Sequence, residues 1–195
     1  MIRFLFRLIV LFLVVCGIGA VACTLWFVGQ GISAKSAPGA LEMAVAPRLR
    51  SMAIPRAARD QRSPVPASAA ALNEGMEHFA DHCALCHAND GSGDTRMGRN
   101  LYPRVPDMRL AATQDLTDGE LFYIIENGVK LTGMPAWGGD PEHGAEATWN
   151  LVQFIRHIPK LTPAELSKMK ELNPKAPDEE AESKDSHKHK HGDEK

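Results

Sequence analysis

The chain has 195 residues, with 22 Lys and Arg against 24 Asp and Glu and a formal net charge of −2. That length allows one ordinary domain with additions, and the near-neutral balance carries no electrostatic footprint for nucleic acid, so no nucleic-acid partner is expected. Four cysteines, Cys16, Cys23, Cys83 and Cys86, are too few for a fold built on disulfides.

The N-terminal piece, residues 1–30, reads as a membrane anchor. An uncharged run of 21 residues opens at Leu8 and closes at Val28, and at about 1.5 Å per residue it matches a hydrocarbon core of roughly 30 Å. A cleaved leader has a shorter apolar region, of about 7 to 15 residues. Ala20, Val21 and Ala22 do resemble a small-residue cleavage site, with Cys23 behind them in the manner of a lipoprotein site. Either cut would leave an apolar new terminus from Leu25 to Val28, which favours an uncleaved anchor. Arg3 and Arg7 precede the run with no acidic residue beside them, which keeps the N-terminus cytoplasmic and exports the rest. The expected arrangement is therefore a single-pass membrane protein with the remaining domain exported.

Residues 31–70 are rich in Ala, Pro and Ser, carry Lys35 and five arginines from Arg48 to Arg62, and show no sustained periodicity. They read as a linker whose net positive charge of +4 either aids solubility or rests on anionic head groups. As a flexible chain its ends would lie roughly 35 Å apart, leaving the attached domain free to sweep.

Residues 71–173 carry the periodic segments, and all of them are helical. Leu72, Gly75, Met76 and Phe79 form a stripe at i, i+3, i+4 and i+7 that runs into Cys83. A second helix opens with the capping-box pattern Thr117-Asp118-Gly119-Glu120 and closes at Asn127-Gly128. A third, over 146–158, offers Trp149, Leu151, Val152, Phe154, Ile155 and Ile158, and Thr162-Pro163-Ala164-Glu165 caps a short last one. No segment reads as a strand. Between the first two helices, 88–116 is dominated by Gly91, Gly93, Gly98, Pro103 and Pro106. An irregular stretch of that length in a small domain is expected to wrap something, and a bound apolar group would supply the core that so few helices cannot build alone.

The chemistry is concentrated in "CALCH". Cys83 and Cys86 three apart, with His87 directly behind, suit half a zinc site, a redox dithiol or the attachment point of a c-type haem. A structural zinc closes with four protein ligands, and no second cysteine pair exists; His78, His82 and His143 lack finger-like spacing. A dithiol of the thioredoxin kind needs alternating strands and helices. The haem reading needs one further ligand.

With "GMPAW" at 133–137 and the helical C-terminus, "CALCH" makes the chain resemble a class I cytochrome c domain of the short, bacterial, membrane-anchored monohaem kind. The resemblance covers about 71–158. It implies an all-α cytochrome c-like fold around one covalent haem c, held by Cys83 and Cys86, with His87 and Met134 as axial ligands of the iron. Met108 is the alternative thioether and His143 would give a His/His iron, whereas Met76 and Met169 read as core. The family also implies a proline carbonyl, from Pro103 or Pro106, for the other nitrogen of His87. Arg99, Arg104 and Tyr102 are candidates for the propionates, and Trp137 for the haem edge.

The implied function is electron transfer rather than catalysis: a periplasmic carrier of single electrons between respiratory or dehydrogenase partners. Over 71–173, nine Lys and Arg face fifteen Asp and Glu, a charge of −6 that suits redox partners with a basic docking surface. A haem-based sensor, in which Met134 dissociates, and a metal-handling protein are the competing readings. The latter would act through residues 174–195, a charged tail expected to be disordered, in which His187, His189 and His191 alternate as optional ligands for a divalent metal.

Overall fold

A computed structural model describes residues 2–29, 31, 33–139 and 144–173. His143 and the tail histidines His187, His189 and His191 lie outside them. The chain divides into two compact units, Met1–Ala34 and Lys35–Lys195.

The first unit is built on one helix, α1 (Ile2–Gly29), with no acidic residue. At about 1.5 Å per residue it is roughly 42 Å long, enough to cross a bilayer by length and composition. Its backbone bonds are internal, and the Thr24 hydroxyl donates back to the Ala20 carbonyl at 2.9 Å, so even that polar group needs no outside partner.

The second unit is all-helical among the described residues. Its centre is the crossing of α4 (Ala69–His78) with α9 (Ala145–His157). Gly75 makes the crossing close, because a Cβ there would collide with the backbone carbonyl of Asn150. Around it Met76, Phe79, Val152, Phe154 and Met169 are almost wholly buried, the Phe79 and Phe154 rings lying 5.1 Å apart. Each such side chain contributes about 1.5–3 kcal/mol by leaving water. Phe122 stacks on Trp149 at 4.3 Å and joins α8 (Asp118–Asn127) to the same core.

Local signals set the helix ends. Ser68 caps α4 by accepting from Ala71 N, and complete capping boxes form at Thr117 with Glu120 and at Thr162 with Glu165, the latter opening α10 (Pro163–Leu172). Each cap is worth about 1 kcal/mol. Gly128, at φ 64, ends α8, and Pro159 turns the end of α9 into a short 3₁₀ turn.

The 88–116 stretch is irregular but pinned. Two single-turn helices, α6 (Arg96–Arg99) and α7 (Ala111–Gln114), punctuate it. Arg109 bridges Asp90 and Asp107 at 2.9 and 2.7 Å. Gln114 Nε2 donates to the carbonyls of Met108 and Ile155, and Arg156 donates to those of Gln114 and Leu116, tying the stretch to α9.

The expected linker over 31–70 is largely structured. It contains α2 (Ala40–Ala53) and α3 (Arg56–Arg59), and Ile54 between them is buried. Arg59 forms an ion pair at 3.3 Å with Glu120, itself only 5% exposed, and Ser51 Oγ donates to the same carboxylate. Thr117 Oγ1 donates to the Arg59 carbonyl, and Gly119 leaves room for the Ala58 carbonyl that any Cβ would occupy. Apart from buried Ile54, the segment holds on to α8 by polar and backbone contacts, which leave no hydrophobic period that marks the docking.

Candidate functional site

Cys83, Cys86 and His87 occupy one helical turn. The chain widens into a π-helical turn, Phe79–Cys83, before tightening into α5 (Ala84–His87). Such widened turns occur often at functional sites. Residues three and four apart share a helix face, so both cysteines and His87 are neighbours. Phe79 backs the imidazole, with ring centroids 6.3 Å apart.

The loop beyond His87 holds the turn in place. Ala88 adopts φ 62, ψ 158, a conformation that costs a non-glycine residue about 1–3 kcal/mol. It reverses the chain so that Gly93 N donates to the His87 carbonyl at 2.8 Å and Thr95 Oγ1 to that of Cys86 at 3.2 Å. Gly98 packs on the same Cys86 carbonyl, where a Cβ would not fit. The helix-end carbonyls are thus satisfied by the loop.

The electrostatics set the dithiol reading apart from the haem reading. Burial lowers the His87 pKa to about 4, which leaves a neutral imidazole, the form that binds metals. Its Nδ1 is buried with no hydrogen-bond partner. Burial, with Cys86 nearby, pushes the Cys83 thiol up to about 12, and burial raises Cys86 as well. A redox dithiol lowers its attacking thiol instead. Among the described residues no group of three or more His, Cys, Asp or Glu is placed to hold a metal ion. An uncharged thioether beside a neutral, buried imidazole suits this environment, so these residues fit a covalently attached haem.

The loop after α8 crosses the same region. Val129 N donates to the Met134 carbonyl at 3.1 Å, Met134 N to Thr132 Oγ1 at 3.1 Å, and Trp137 N to Ile125 O at 3.1 Å, which folds the loop back on α8. Gly133 packs against the Leu101 side chain, and the Trp137 ring lies 5.3 Å from that of His82. The residues flanking half-buried Met134 therefore touch the chain on both sides of the Cys-x-x-Cys-His turn.

Residues 70–155 match the family model described as cytochrome C oxidase, cbb3-type, subunit III. The matched segment is a c-type cytochrome domain. It implies haem c and electron transfer, and it takes in α4, the Cys-x-x-Cys-His turn, the Met134 loop and most of α9.

Within the cytochrome domain the remaining expectations divide. Met76 and Met169 are core, and so is Met108, 8% exposed, with its N–H bonded to the Gly91 carbonyl at 2.8 Å. Neither Pro103 nor Pro106 meets His87 Nδ1; the Val105 and Pro106 carbonyls lie against Gly93 instead. Tyr102 donates its hydroxyl to Glu42 of α2, and Arg99 pairs with Asp94 at 2.7 Å, so both are engaged by the chain. Arg104 is exposed. Phe79 behind His87, strained Ala88 and tightly packed Gly98 were not singled out by sequence as parts of the site. A glycine in a motif-proximal loop was a signal for Gly98; Ala88 offered none.

Proposed function

We propose that this chain is a membrane-anchored, single-haem c-type cytochrome that passes single electrons between redox partners on the periplasmic side of a bacterial inner membrane. The observation that carries the reading is buried His87 on the same helical turn as Cys83 and Cys86. The sequence contains one Cys-x-x-Cys-His, hence one haem. When bound, haem c supplies an iron that changes charge by one electron, and Met/His ligation raises its potential.

Each residue then has a defined task. Cys83 and Cys86 provide the two covalent attachments. His87, backed by Phe79, would present its ring to the iron, and Met134 would supply the second protein ligand from its loop. With His87 and Met134 both held to the iron, no position would be left for a substrate, which suits a carrier rather than a catalyst. α1 is the anchor, and Arg3 and Arg7 orient it. Residues 71–173 form the haem-bearing domain, whose charge of −6 steers it toward a basic surface on its partner.

The test is covalent attachment. In the Cys83→Ala, Cys86→Ala double variant, haem is expected to separate from the denatured chain on a gel, whereas in the wild type it comigrates. Haem that still comigrates with the double variant refutes the assignment.

A further inference from the structure

Helix α2 exposes its apolar face. Leu41, Val45, Leu49 and Met52, at i, i+4, i+8 and i+11, form one stripe, and all four are exposed, Leu41 and Met52 at 77% and 79%. No residue of α2 is buried, and Pro47 sits in its interior. A helix of about this length is marginal in water, and an interior proline costs about 3 kcal/mol more. The contacts to the cytochrome domain, Glu42 with Tyr102 and Ser51 with Glu120, are polar and leave the stripe open. Such a helix needs another surface.

We infer that α2 lies on the membrane, its stripe sunk into the outer boundary of the bilayer that α1 spans. The inference rests on the reading of α1 as an anchor. Ten residues separate α1 from α2, and they reach at most about 35 Å, so α2 is confined near the surface. The charge is complementary to anionic head groups: Arg48 lies beside the stripe and Arg56 follows in α3, and the one acidic residue of α2, Glu42, has its carboxylate bonded to Tyr102. Arginines at the border of an apolar stripe bury their stems and keep their heads in the interface. Because α2 and α3 are also docked on α8, a membrane-bound α2 holds the cytochrome domain at a set height and orientation. The domain then does not sweep on a tether.

The test uses the full holo-chain in vesicles containing an anionic phospholipid and a second phospholipid with a photoreactive diazirine in its acyl chain. After illumination, lipid adducts are mapped by mass spectrometry. Adducts are expected in α1 and in α2, and not at Leu110 or Leu131, which are exposed elsewhere on the domain. Replacing both Val45→Glu and Leu49→Glu is expected to lower the α2 adducts by about tenfold, roughly the change that 1.4 kcal/mol makes in a partition constant, while α1 labelling is unchanged. Adducts in α1 with none in α2 overturn the inference and leave the anchor standing. Adducts in neither overturn both. Cross-linking of α2 to a second copy or to another protein, or α2 labelling that the double variant does not reduce, also overturns it.

Discussion

Gly75 and Asn150 meet backbone against backbone where α4 crosses α9, with no room for a single methyl group between them. The crossing carries Phe79, which backs His87, so the packing of two helices far apart in sequence sets the position of the site. Gly75→Ala forces the helices apart, and overpacking of this kind costs typically about 1–3 kcal/mol. Urea unfolding of the holoprotein is expected to show a lower midpoint at unchanged slope. An unchanged midpoint would contradict the crossing as described.

Met108 and Met134 are distinguished by what surrounds them. Met108 is buried in the core beside Gly91, so Met108→Ala is expected to cost about 2–5 kcal/mol of stability through the cavity it leaves. The midpoint potential is expected to stay where it was. A large fall in potential with little loss of stability would make Met108 the ligand.

What could be read from the sequence was local. The capping boxes at Thr117 and Thr162, the stop at Gly128 and the stripe from Leu72 to Phe79 each lie within one or two turns, and each matches an element of the structure. The Cys-x-x-Cys-His turn is equally short, which is why the chemistry of the site was legible before its surroundings were. The docking of 40–61 was not legible, because its contacts join residues about 60 apart: Glu42 to Tyr102, Ser51 and Arg59 to Glu120. They are polar, so no apolar period marks the docking; the stripe from Leu41 to Met52 stays exposed instead. The strain at Ala88 was hidden for a different reason: alanine gives no sign of a positive-φ turn, and the bonds that accompany it, from Gly93 and Thr95 to the preceding carbonyls, come from later in the loop.

Gly119 allows the 40–61 segment to sit on α8. In Gly119→Ala the new Cβ meets the Ala58 carbonyl, and the segment is expected to lift while α8 keeps its capping box. Trypsin should then cut after Arg48, Arg50 and Arg56 several-fold faster than in the wild type, since cleavage follows the population of the open form. Equal cleavage rates would show that the segment is not held by this contact.

Glu165 gives the fold one acid-sensitive point. Its carboxylate accepts from the Thr162 backbone and hydroxyl and from His157, at 2.7, 2.7 and 2.8 Å, and these bonds hold its pKa below the ordinary 4.5. A depressed carboxylate contributes stability that is fully present above its unfolded pKa and lost as pH falls through the folded one. The group is partly exposed, so the contribution is at most about 1 kcal/mol. Urea midpoints of wild type and Glu165→Gln are expected to differ at pH 7 and to converge below pH ~4. A gap that persists in acid would place the effect elsewhere.

The central claim is that His87 and Met134 together close the iron of a one-electron carrier, and a spectroelectrochemical titration of the full holo-chain tests it most directly. The wild type is expected to show a single one-electron wave, and its ferrous form is expected not to bind carbon monoxide. Met134→Ala is expected to keep its haem, bind carbon monoxide, and lower the midpoint by more than about 59 mV, the one-electron equivalent of a tenfold loss of preference for ferrous iron. Carbon monoxide binding by the wild type, or a midpoint unmoved in Met134→Ala, would contradict the account.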